Sequence, residues 1–377
     1  MEHLAVLARR ERVGIKRGLA NIRALLEALG HPERAYPVVL IGGTNGKGST
    51  GAFLAYACRA AGLRVGWATS PHLVDVTERI WLDGAPIAAG QLNLCLGEVL
   101  AAEKGLGLEA TFFALVIAAP YLAFREADVA LALVEVGLGG RWDATNAAEP
   151  VLSILTNVAL DHQAYLGETL DAIAREKLCI ARSGRPLVLG PGLSPEWLAQ
   201  LLESNPRMVA ATALDGVDLR WDHSVVSGHR VGLAGAHQID NLATARGALH
   251  QLRDLGFILP EEAAWRGLEA ARWVGRLWKV PGLSDVWLDG AHNPHGARAL
   301  AAHARACGVR PYLFFGAMKD KDLPAMAAAL ASSAGSGGTA TAVLTVVDGG
   351  VGPKLPPGLN QPNAPQGSGP GGSTPNG

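Results

Sequence analysis

A mainly parallel α/β fold is predicted for this chain, as a large unit followed by a smaller one of the same class. Three observations predict it. Short apolar runs alternate with helix-length stretches along most of the chain. Residues suited to chemistry follow or close those runs. A glycine-dense turn joins one strong run to a helix-like segment in VVLIGGTNGKGSTGAF (Val38–Phe53). Strands alternating with helices imply parallel pairing, and ligands of such sheets sit beyond the carboxyl ends of the strands.

In chain order, Val38–Ile41 reads as a strand, and Ser49–Ala61 as a helix stopped by Gly62. Arg64–Ser70 is the next strand. Phe112–Phe124 is the longest apolar run; Pro120 interrupts it, and it is shorter than the ~20 residues of a membrane span, so a buried helix is expected. Asp128–Gly137 and Val151–Leu160 read as buried strands, and Glu168–Ala181 as an amphipathic helix. A second α/β segment starts near Val280. DVWLDGAHNPHGARALAAHA reads strand, loop, helix, and PYLFFGAMKDKDLPAMAAALA repeats that order. Beyond the linker-like Ser332–Gly338, Thr341–Val347 reads as a strand with no helix after it. More than half of residues 350–377 are Gly or Pro, a composition that buries too little apolar surface to fold. The expected units are 1–278, a shortened 281–349 and a disordered tail, 350–377. From about Ser333 onward the chain reads as out of its ancestral frame, or as replacing a lost end of the second unit, and as disordered.

Composition agrees with two domains. The chain has 377 residues, 49 % hydrophobic and 18 % charged, with a formal charge of −1. No basic surplus points to nucleic acid. The four cysteines, Cys58, Cys95, Cys179 and Cys307, form no C-x-x-C pair, which argues against structural zinc or a disulfide framework. The N-terminus lacks a secretory apolar core. A soluble, cytoplasmic chain with reduced thiols is expected.

The glycine-dense turn departs from the common nucleotide loop G-x-x-x-x-G-K-[ST]. Ile41 stands at the first glycine position and Gly48 where a hydroxyl should follow Lys47. It still meets the physical needs of a phosphate cradle: backbone N–H groups freed by Gly42, Gly43, Gly46 and Gly48, a helix N-terminus behind them, and the cation of Lys47. Ser49 or Thr50 adds a hydroxyl. Glu135 ends an otherwise apolar strand, where a carboxylate needs a partner or a metal; oxygen ligation suits magnesium. His162 closes a strand in NVALDHQAYLG, and by itself reads as a polar loop residue. Lys177, mid-helix in AREKLCI, by itself reads as solvated.

Together the motifs have a family. GTNGKGS (Gly43–Ser49), TSPHL (Thr69–Leu73), ERI (Glu78–Ile80), EVGLGGRWDATN (Glu135–Asn146), LDH (Leu160–His162), IAREK (Ile173–Lys177), HQ with Asn241 after it, GRL (Gly275–Leu277) and LDGAHNPH (Leu288–His295) occur in that order. From about Gly14 to about Leu330 the chain resembles the folylpolyglutamate synthase/dihydrofolate synthase family, relatives of the Mur ligases. G-T-N-G-K-G-S is that family's own loop, so both departures are its variant.

The resemblance implies a P-loop-type ATPase domain with a Rossmann-like second domain, and ATP-dependent amide formation. A substrate carboxylate attacks the γ-phosphate, and the amine of L-glutamate then displaces phosphate from the acyl phosphate. It implies that Gly43, Thr44, Asn45, Gly46, Lys47, Gly48 and Ser49 hold ATP, with Asn241, Arg276 and Asp289 contacting it from the domain junction. Ser70 and Glu135 would bind a first magnesium and His162 a second, with Lys177 carbamylated by CO₂ as a further ligand. Lys47, His162 and Lys177 would be catalytic. Thr111, Phe112, Phe113 and Ala114, with Trp142, Asp143 and Ala144, match the pterin site. The implied partners are dihydropteroate, folates and L-glutamate, acted on by a monomer. Three departures stand out: Ala114 where the family has glutamate, EKLCI for EKAGI beside Lys177, and Val274 for the proline before Arg276. Alternatives are an enzyme acting on folates only, or a folate- or nucleotide-binding relative without ligase activity.

Overall fold

The computed structural model describes residues 2–10, 18–212, 214, 217–219, 224–283, 286–308, 311–318, 321–331 and 342–347. Helices α1 (Glu2–Arg10) and α2 (Ala20–Ala28) precede β1 (Val38–Gly42). Then come α3 (Lys47–Ala60), β2 (Val65–Ala68), β3 (Ile80–Leu82) and β4 (Ala85–Pro86). Helices α4 (Ala89–Gly105) and α5 (Phe112–Glu126) lead to β5 (Leu131–Glu135) and β6 (Leu152–Leu155). The short α6 (Gln163–Leu166) and α7 (Leu170–Leu178) lead to β7 (Pro186–Leu189), and α8 (Pro195–Ala199) to β8 (Arg207–Ala210).

These eight strands form one sheet in the order β4-β3-β2-β5-β1-β6-β7-β8. The pairs from β2 through β8 are parallel; β2–β3 and β3–β4 are antiparallel. Alternation along β1 sets the layers. Val38 and Leu40 face a core shared with α2, α4 and α5. Val39 and Ile41 face one shared with α3, α9 (Gln238–Asp254) and α10 (Glu261–Ala270). A strand apolar on both faces must be covered on both, which is why the central strands read as unbroken hydrophobic runs. The register pairs Ile41 with Glu135 and Gly42 with Leu155. The glycine loop, Glu135 and the segment after β6 therefore leave the sheet at one edge, on either side of the strand where the order reverses.

A three-stranded antiparallel sheet, β9 (Val217–Leu219), β10 (Ser224–Val226) and β11 (His229–Val231), precedes α9. After α10, β12 (Trp278–Lys279) pairs with β13 (Trp287–Leu288). Helix α11 (Pro294–Ala306), β14 (Leu313–Met318) and α12 (Leu323–Ala331) close on a separate small core of Ala297, Ala317, Met326 and Leu330.

Most expected elements are present, with three corrections. Strand β6 ends at Leu155 rather than Leu160, because Thr156 and Asn157 leave the ladder to bind the glycine loop. His162 therefore does not close a strand; it lies in left-handed backbone (φ 51°) at the start of α6. The expectation of disorder from about Ser333 onward is corrected over Ala342–Val347, the strand candidate there, which forms β15 and pairs in parallel with β14 from Leu313↔Ala342 to Met318↔Val347. Its β-branched, apolar sequence suits that ladder. Residues 332–341 and 348–377, including the Gly/Pro tail, lie outside the described residues. Among the described residues no helix is long and apolar enough to cross a membrane.

Candidate active site

The glycine loop turns between β1 and α3 by two positive-φ residues, Gly43 (φ 142°) and Gly46 (φ 82°). Both are also sterically required. A Cβ on Gly43 would stand 1.9 Å from Thr156 Oγ1, and one on Gly46 2.1 Å from Asn241 Oδ1. The loop is held from outside. Thr156 Oγ1 donates to Asn45 O (2.6 Å), Thr44 N donates to Asn157 O (3.0 Å), and Asn45 N to Asn157 Oδ1 (2.9 Å). Asn241 is itself fixed by donating to Gln238 Oε1 (2.9 Å).

Two lysines converge on one carbonyl. Lys47, the first residue of α3, donates to Gly43 O (3.2 Å) and Thr44 O (3.1 Å). Lys177 donates to the same Gly43 O (2.9 Å). Lys177 is neither mid-helix nor solvated: it lies in the last turn of α7 and is 5 % exposed. Burial first, and the charge of Lys47 second, pull its pKa down to about 7. Burial also lowers the pKa of Lys47, with Glu135 opposing. A cation at a helix N-terminus opposes the helix dipole, so Lys47 stands where an anion, not a protein group, is its natural partner.

Glu135, buried at the end of β5, accepts from Ser70 N (3.3 Å). Burial raises its pKa, while Lys47 and Arg276 counteract. Asp161 is a junction. Its Oδ1 accepts from Lys321 Nζ (2.9 Å) and its Oδ2 from Asn293 Nδ2 (2.8 Å). Burial resists its ionisation, but those donors prevail and hold the carboxyl down at about 2. Asn293 Nδ2 also reaches Asn45 Oδ1 (2.9 Å), so the loop before α11 touches the glycine loop directly. Asp289 accepts from Leu277 N and Ala291 N (both 2.9 Å), which fixes the backbone beside Arg276.

A cleft of about 230 Å³ gathers Gly43–Ser49, Ser70, Glu135, His162, Lys177, Asn241, Arg276 and Asp289. Thr111–Ala114 and Trp142–Ala144 do not line it. They sit next door. Thr111 caps α5, Phe112 stacks under Arg79 (5.4 Å), and Phe113 packs against Gly137. Asp143 accepts from Leu138 N (2.8 Å). Ala114 and Ala144 are buried, and Trp142 is half exposed. A glutamate at position 114 would therefore start inside the apolar core.

Several residues in or beside the cleft carry no role in the sequence reading. Thr156 and Asn157 follow a strand run without a motif of their own. Asn293 and His295 lie inside LDGAHNPH, and Lys321 in MKDKD, so the motifs mark the segments but not the contacts. His237 also lines the cleft, and burial pulls its pKa down to about 4.

No family model matches the chain. Curated relatives do. A probable bifunctional folylpolyglutamate synthase/dihydropteroate synthase of Haloferax volcanii is 35 % identical over 342 residues, 85 % of this chain and 40 % of the relative. The chain thus spans about two fifths of that longer protein. The dihydrofolate synthase/folylpolyglutamate synthase of Bacillus subtilis is 33 % identical over 336 residues, 83 % of this chain and 78 % of the relative. A solved structure described as an FPGS–AMPPCP–folate complex superposes with a TM-score of 0.81 at 32 % identity, over 88 % of this chain and 86 % of that one. The loop, its two lysines and the strand-end carboxylate are thus set in a fold and a sequence shared along most of the chain, and on that ground the chain belongs to the folylpolyglutamate synthase/dihydrofolate synthase family of ATP-dependent ligases.

Proposed function

We propose that the chain joins L-glutamate to the carboxylate of dihydropteroate and of folates, through an acyl phosphate formed with ATP. The observation that carries this reading is the convergence of Lys47 and Lys177 on Gly43 O in a cleft lined by the whole glycine loop, Gly43–Ser49. Two anions, a carboxylate and a triphosphate, must meet for this reaction, and fixed cations lower their repulsion. Lys47 would leave its two carbonyl partners for the terminal phosphates. Arg276 would add charge from the junction between an ATP-binding unit, 1–278, and a glutamate-ligase unit, 281–349. Closure of that junction would keep water from the acyl phosphate. The side chains of Phe112, under Arg79, and of Phe113, beside Gly137, would face the pterin.

Magnesium fits one place. Glu135 is buried, and its hydrogen bond among the described residues is the long one from Ser70 N. One carboxylate with a hydroxyl, phosphate oxygens and water is an ordinary magnesium set. Ser70 and Glu135 would hold the ion, which would neutralise phosphate charge during transfer. His162 does not fit a second ion in this arrangement, because its Nε2 faces the ammonium of Lys321 at 3.3 Å.

Lys177 suits carbamylation. With its pKa near 7, a large share is free amine at neutral pH. That lone pair forms the N–C bond to CO₂, a C–O pair moves onto oxygen, and the nitrogen proton leaves to water. The product is an anion beside Lys47. At fixed dissolved CO₂ the modified fraction should rise as pH climbs through about 7, because the ammonium present below it has no lone pair. Trapping of labelled CO₂ followed by mass spectrometry reads this. Absence of carbamate over roughly pH 6 to 9 would remove Lys177 from this role.

The reaction is tested by ADP release that requires both dihydropteroate and L-glutamate. Release with folates but not dihydropteroate would restrict the activity to polyglutamylation. Release with neither, from protein that still binds AMPPCP, would overturn the ligase reading.

A further inference from the structure

The cation place beside His162 is already taken by the protein. Lys321 follows β14, its backbone N–H donating to Met318 O (3.1 Å). Its side chain reaches back to the segment between β6 and α6. Lys321 Nζ donates to Asp161 Oδ1 (2.9 Å) and stands 3.3 Å from His162 Nε2. The Lys321 and Asp161 side chains are 10 % and 7 % exposed, so this is a built-in contact and not a surface pair. An ammonium has donors only. His162 Nε2 therefore meets it as an acceptor, with the lone pair a metal would need. The other oxygen of Asp161 is spent on Asn293 (2.8 Å). Among the described residues no group of three His, Cys, Asp or Glu side chains is placed to hold a metal. A divalent ion at His162 would also lie within a few ångströms of an ammonium, a repulsion that low-dielectric surroundings enlarge.

We infer that Lys321 is the resident second cation of this cleft: its ammonium takes the position beside His162, so the chain takes up one divalent ion with its nucleotide and a second only when Lys321 withdraws. Lys321 is thus a positioning residue. It ties the β14–α12 connection to the phosphate-binding side of the cleft, and it decides whether His162 is open to metal. The inference rests on the proposed nucleotide site.

The test counts manganese by electron paramagnetic resonance in full-length protein saturated with AMPPCP, after calorimetry has shown one nucleotide per chain. Wild type should bind a single manganese ion, Lys321→Met two, and Lys321→Arg, which restores a cation, one again. Two ions in the wild type would overturn the inference while leaving the nucleotide site standing. A single ion in a Lys321→Met protein that binds AMPPCP normally would overturn it as well. Should Lys321→Met fail to fold, the wild-type and Lys321→Arg counts decide, since two ions in either contradict a protein cation at His162. Failure of the wild type to bind AMPPCP at all would overturn the proposed function, and the inference with it.

Discussion

Lys47→Met is expected to lower ATP turnover by roughly a thousandfold, the upper range for loss of one preorganised charge at a transition state, while leaving the fold intact. The two halves of this expectation have one cause. The ammonium is buried at the N-terminus of α3, where burial and the helix dipole both act against it. Its hydrogen bonds go to Gly43 O and Thr44 O at 3.2 and 3.1 Å. These are ordinary carbonyls, not counter-ions, so little folding energy is lost with them. What is lost is a cation at the place where phosphate charge develops. Lys177 and Arg276 share the cleft, Lys177 held on the same Gly43 O and Arg276 on Gly275 O, and neither stands at the N-terminus of α3. ADP release and thermal unfolding measured on the same protein check both halves. Normal turnover with normal AMPPCP affinity would show that the loop does not cradle the nucleotide. A collapse in thermal stability would show that Lys47 is structural.

Gly43→Ala should damage both stability and nucleotide binding. The new Cβ would lie 1.9 Å from Thr156 Oγ1 and 3.2 Å from Asn157 N, at a φ of 142° that side chains avoid. Backbone strain of about 1–3 kcal/mol adds to the loss of a hydrogen bond, about 1 kcal/mol, once Thr156 is driven from Asn45 O. A destabilisation of roughly 2–4 kcal/mol follows, as does weaker AMPPCP binding, because Thr156 and Asn157 hold the loop amides in place. The double variant Gly43→Ala/Thr156→Ala relieves the clash but not the strain, so it should recover part of the loss. Wild-type melting and affinity in Gly43→Ala would contradict the loop geometry.

The sequence alone determined the class of the fold and the glycine loop between β1 and α3. Both are local properties. Strands such as Val38–Gly42 show themselves by unbroken apolar runs, because a central parallel strand is covered on both faces. A loop that cradles phosphate needs consecutive small residues, so its pattern is contiguous. Glu135 was legible as a candidate for a related reason: a carboxylate in such a run is costly without a partner, and the structure places it buried on the cleft wall. The end of β6, the burial of Lys177 and the partners of Asp161 were not legible. Each depends on contacts between segments far apart in the chain, such as Thr156 with Asn45, Lys177 with Gly43, and Lys321 with Asp161. Burial follows from what packs on a residue, and no residue's neighbours along the chain state that. Lys177 is the plainest case. In the helix sequence it is one more basic residue near a C-terminus, and only the fold turns it inward onto the glycine loop, where burial lowers its pKa to about 7.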